Sequence, residues 1–97
     1  MKTVISIQLH GNASEIFKVA TRTYNGVVLP LAVGTLVEDT AWENPREVVR
    51  VSFDTDESCL TIQMGSDQSS NLERTAEMYR SHGWDVDGIS PDITLIP

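Results

Sequence analysis

Residues alternate in polarity from the start of the chain. Thr3, Ile5, Ile7 and Leu9 fall on one side, and Val4, Ser6 and Gln8 on the other. This period of two predicts a strand with one strongly apolar face, ended by His10-Gly11-Asn12. The clearest stretch lies further on. Val49, Val51 and Phe53 alternate with Arg50 and Ser52, and Leu60, Ile62 and Met64 alternate with Thr61 and Gln63. Between them, Asp54-Thr55-Asp56-Glu57-Ser58 makes residues 48–64 a hairpin with an acidic tip.

A period of 3.6 replaces the alternation after Ser70. Leu72, Ala76 and Tyr79 share one helical face, Ser70 is placed as N-cap, and Glu73 completes a capping box. His82 in the last turn, Gly83 at C′ and Trp84 beyond it make a Schellman stop, so the helix is expected over about 71–82. Ile93 and Leu95 suggest a last short strand. The expected core is Ile5, Ile7, Val51, Phe53, Leu60, Ile62, Leu72, Ala76, Tyr79 and Ile93, with Trp84 beside them.

Residues 13–24 carry both periods. Ala13, Ile16, Phe17 and Ala20 follow helical spacing behind an Asn12/Glu15 capping box, whereas Phe17, Val19, Thr21 and Thr23 alternate as in a strand. Asn25-Gly26 is the dipeptide of a tight type I′ turn, which favours a hairpin here. Pro30 cannot donate to a ladder, so the apolar run from Val27 to Val37 reads as an edge or a bulge. Residues 38–47 form a polar connection in which Thr40 and Glu43 could cap one turn before Pro45. The fold class expected is α+β: a mainly antiparallel sheet of about 5–6 strands, with the helix packed on one face.

Composition narrows the picture. Ninety-seven residues give one small domain. Cys59 is the one cysteine, which precludes an intramolecular disulfide and suits a reducing cytoplasm. No stretch is long enough to span a bilayer, and Met1-Lys2 before the short run 3–9 lacks the features of a signal peptide.

Charge is unevenly spread. Residues 1–50 hold five acids and five bases, while residues 51–97 hold nine acids against Arg74 and Arg80 and so carry the whole net charge of -7. Such a field repels nucleic acid and anionic membranes and attracts cations or basic protein surfaces. If the hairpin, helix and last strand form a β-α-β crossover, Asp85 and Asp87 arrive at the same end of the sheet as Asp54, Asp56 and Glu57. Three readings follow for that acidic rim: an interaction surface for a basic partner, a hard-cation site using Asp54, Asp56 and Asp87, or solvated carboxylates that keep a small protein soluble. Trp42, set among Glu43 and Arg46, is either an interface anchor or a lid on the core. His10 and His82 have no ligand partners at useful spacing. No nucleophile elbow, phosphate-binding glycine loop or basic aromatic patch occurs, so no catalytic residue and no cofactor is expected.

The function expected is a small acidic, non-enzymatic binding or regulatory module. It would contact a basic protein surface through its acidic C-terminal half, one version being a phage- or mobile-element-type inhibitor or nucleic-acid mimic. The alternative is a divalent-cation-binding protein or metal-assisted enzyme built on the Asp54, Asp56, Asp87 rim.

Overall fold

The computed structural model describes residues 1–11, 17–26 and 31–89. Strand β1 (Lys2–Gly11) is central and pairs antiparallel with β2 (Phe17–Asn25), from Lys2 opposite Asn25 to His10 opposite Phe17. Residues 17–24 are therefore strand. The tight turn expected at Asn25-Gly26 is not built. Asn25 closes the β1–β2 ladder with no positive φ, and only Gly26 enters the left-handed region, at φ +89°. The expected segment around Pro30 and the last strand at Ile93 lie outside the described residues.

β3 (Leu36–Val37) borders β4 (Arg46–Asp54), which forms the expected hairpin with β5 (Cys59–Met64). β5 and then β6 (Asp67–Ser69) run along β1, both parallel to it. Ser6 faces Gln63 and Leu9 faces Asp67, so β1 advances one residue less than the chain beside it, and the excess sits around Gly65. Helix α1 (Leu72–Ser81) leads to β7 (Asp85–Ile89), antiparallel to β2. Among the described residues the sheet has seven strands in the order β3-β4-β5-β1-β2-β7, with β6 beside β1. The architecture is α+β as expected, and the curled sheet is mixed and not purely antiparallel, because β1 has the parallel neighbours β5 and β6 on one side.

The core occupies one face of the sheet. Ile5, Ile7, Leu9, Ala20, Val48, Ile62, Met64 and Val86 point into one cluster, to which α1 adds Ala76 and Tyr79, and Trp84 closes the layer. Leu60 and Leu72 are partly buried. Two expected core residues are not buried: Val51 is 37% and Phe53 48% exposed. The hairpin register is not inverted, since Val51 faces Ile62 and Phe53 faces Leu60. A register shift between Val48 and Arg50 turns Val48 inward in place of Val49. The helix meanwhile packs on β1, β2 and β7 and leaves the far end of β4 uncovered.

The helix ends show how local chemistry sets its limits. Asn71, not Ser70, is the N-cap, with extended backbone and Oδ1 accepting from Arg74 N at 3.1 Å. Starting one residue later moves Glu73 out of the reciprocal capping position. The C-terminal stop forms as expected. Gly83 has φ +89°, its N–H donates to Arg80 O and Trp84 N–H donates to Tyr79 O. Asn71→Ala should therefore cost about 1 kcal/mol in urea unfolding, and Ser70→Ala close to nothing. Gly83→Val should cost more than about 2 kcal/mol through left-handed strain. A Cβ there would also stand 2.7 Å from Arg22 Nη2.

Candidate functional site

The acidic tip is a four-residue connection, 55–58, between the paired residues Asp54 and Cys59. Asp54 organises it: its Oδ1 accepts the N–H of Asp56 at 2.9 Å and of Glu57 at 3.2 Å, and Ser58 completes the reversal at φ +49°. With Asp54 so engaged, the carboxylates of Asp56 and Glu57 are held on a defined turn. Asp54, Asp56 and Glu57 are all exposed, and none makes an ion pair among the described residues. Phe53 lies immediately beside them.

The other half of the expected rim arrives elsewhere. β7 does run parallel to β5, but Asp85 faces Thr21, which faces Ser6 and hence Gln63. Asp54 lies level with Lys2, four residues away along β1. Measured in the sheet, Asp85 is therefore about 13 Å further along and four strands, about 19 Å, across from the tip. The backbone of Asp87 faces Val19 and lies further still. The tip and the two β7 positions thus stand apart and form no common rim. Among the described residues, no three His, Cys, Asp or Glu side chains are grouped to hold a metal ion.

Trp42 is a half-buried lid on the core. Its indole N–H donates to Tyr79 Oη at 2.8 Å, its ring centroid is 5.6 Å from that of Trp84, and the Arg46 guanidinium lies over the Trp42 ring at 5.7 Å. An open groove of about 400 Å³ runs along residues 41–46 beside it. Tyr79 Oη donates onward to Asp67 at 3.3 Å, and Asp67 is paired with Arg46 at 3.1 Å. Burial, with Asp67 adding to it against Trp42 and Arg46, pushes the Tyr79 phenol up to about 12.

A second network fixes the other end of the same loop. Asp39 has a side chain only 7% exposed and takes Arg22 on Oδ2 at 2.6 Å, while Oδ1 accepts from Trp84 Nε1 and from Ala41 N. Arg22 also donates to His82 O at the helix C-terminus and lies over the Trp84 ring. His82 Nδ1 is 3.1 Å from Thr40 Oγ1. Apart from Arg46 Nε, which is buried without a hydrogen-bond partner among the described residues, these groups satisfy one another, which makes the two networks clamps of loop 38–46 onto sheet and helix. Sequence reasoning missed them because most of the partners are distant in the chain. The one local sign is Asp39 two residues before Ala41, the spacing of an Asx turn.

Cys59 is half-buried on the face of the sheet away from the helix, with Sγ 4.0 Å from Thr61 Oγ1. No helix among the described residues is long and apolar enough to cross a membrane. Comparison with protein-family models, curated proteins and solved structures returned no match to this chain.

Proposed function

We propose that this protein is a small, non-enzymatic binding or regulatory module of the cytoplasm that contacts a basic surface of another protein through its acidic C-terminal half. The observation that carries this reading is the tip: Asp54, Asp56 and Glu57 are exposed, without ion-pair partners among the described residues, and held on a turn beside exposed Phe53. A carboxylate cluster next to an apolar side chain suits a partner that offers Lys or Arg around an apolar depression. The free thiol of Cys59 is compatible with a reducing compartment. Asp85 and Asp87, standing apart, would add to the long-range field that steers encounter and not to the contact. Trp42, committed to the core, supports the contact surface only indirectly. Three carboxylates on one turn form a compact cluster, so a protein surface suits them better than an extended imitation of a phosphate backbone.

The test replaces Asp54→Asn, Asp56→Asn and Glu57→Gln together. The amide oxygen introduced by Asp54→Asn can still accept the two turn N–H groups, so the melting temperature should stay within a few degrees of the parent. Quantitative capture from host lysate at low salt should retain one or more basic proteins on the parent chain and lose them on the triple variant, with retention falling as salt rises. Equal retention by both chains would refute the proposal.

A further inference from the structure

The outer edge of β4 is only partly paired among the described residues. β3 covers β4 only at Glu47 and Arg46, and Thr35 and Gly34 extend the bonding to Val48. Beyond that, from Arg50 to Asp54, no strand among the described residues pairs with the outer side of β4. This edge, unpaired among the described residues, has no proline of its own from Arg50 to Asp54, and the strand carries Val49, Val51 and Phe53, all exposed. Backbone donors and acceptors along such an edge are a template for another strand.

The sequence of the edge selects the occupant. Arg50 is the only base between Glu47 and Glu73, it is exposed, and it makes no ion pair among the described residues. Antiparallel pairing of two copies about a two-fold axis at Ser52 sets Ser52 against Ser52, Val51 against Phe53, and Arg50 against Asp54. Each unlike pair occurs twice by symmetry. Val51 and Phe53 lie on the face of Ile62 and Leu60, so the pairing extends the apolar layer where α1 stops short. Arg50 and Asp54 meet on the opposite face. Moving the axis to Val51 opposes Arg50 to Ser52, and moving it to Phe53 opposes Asp54 to Ser52. Either shift loses both Arg50–Asp54 pairs within the strand. We propose that the protein forms a two-fold dimer through the β4 edges in the Ser52-centred register, giving a continuous sheet across two copies. Asp56 and Glu57 lie beyond the paired residues, so each copy keeps those two carboxylates of its tip, while Asp54 and Phe53 are taken into the dimer contact.

Sedimentation equilibrium from about 1 µM to about 1 mM tests this. The parent chain should show a monomer–dimer equilibrium within that range. Arg50→Glu sets two acidic side chains opposite each other, and Asp54→Lys sets two basic ones. Each should weaken dimerisation about tenfold or more, since like charges directly opposite repel. Mixed in equal amounts, the two variants should associate with each other as well as the parent does with itself, because the mixed pair restores both contacts. Asp56→Asn with Glu57→Gln should leave dimerisation unchanged, which separates this result from the tip test. Circular dichroism checks folding. If Asp54→Lys, which lacks the turn acceptor, fails to fold, the Arg50→Glu result alone decides. A parent chain monomeric throughout, a dimer indifferent to Arg50→Glu, or folded variants that do not associate on mixing would each overturn the proposal.

Discussion

Truncating Tyr79 to alanine is expected to cost about 3–5 kcal/mol, the range for emptying a buried aromatic site. A domain of this size has a total stability of about 5–15 kcal/mol, so the variant should be largely unfolded in modest denaturant. The size follows from what the side chain touches. Tyr79 is fully buried, its ring meets Trp84 edge-on at 5.5 Å, and its hydroxyl links Trp42 to Asp67. Tyr79→Phe keeps the ring and should cost about 1–3 kcal/mol, because the Trp42 N–H loses its acceptor. The hydroxyl also has a pH signature. Its folded value of about 12 stands above the ordinary value of 10.0. Between those values the unfolded chain releases a proton that the folded chain retains, so stability should be intact below pH 10 and fall as pH rises towards 12. Urea midpoints measured across that window should drop for the parent and drop less for Tyr79→Phe.

Replacing Asp39 by alanine should also be damaging, at about 2–3 kcal/mol in urea unfolding, because removing the buried carboxylate of a part-buried ion pair strands its partners. Arg22 Nη1, Trp84 Nε1 and the Ala41 N–H all lose their acceptor at once. Asp39→Asn keeps an oxygen for Trp84 and Ala41 and removes only the charge, so it should fall between parent and alanine. If Asp39→Ala and Arg22→Ala each cost under about 1 kcal/mol, the clamp is a surface contact and not a structural one.

Much of the fold was legible where interactions are local. The β1 alternation, the hairpin around the acidic tip and the Gly83-Trp84 helix stop depend on residues a few positions apart, and all three are present. Misreadings arose where a nearby choice was settled by distant structure. Asn25-Gly26 offered a tight turn, but β1 takes the whole of β2 as partner up to Asn25. Val51 and Phe53 had the right phase for burial, yet the extent of the helix across the sheet decides how far the core reaches, and no local pattern encodes that. The N-cap moved from Ser70 to Asn71, since both residue types can accept the first-turn N–H groups and the competition turns on one residue of backbone geometry. Of the candidate site, the turn at 54–58 could be read directly. The separation of Asp85 from it could not, because it depends on β1 and β2 standing between β5 and β7.

Whether the tip is a contact surface can be decided by an amide chemical-shift map of the ¹⁵N-labelled chain, recorded with and without the basic protein it captures. The perturbed amides should centre on Phe53 to Cys59, those from Arg74 to Ser81 on the helix should stay unmoved, and the perturbations should fade as salt is raised. Shifts centred on the groove at 41–46 or on the helix, with the hairpin tip silent, would contradict the proposed role of the tip.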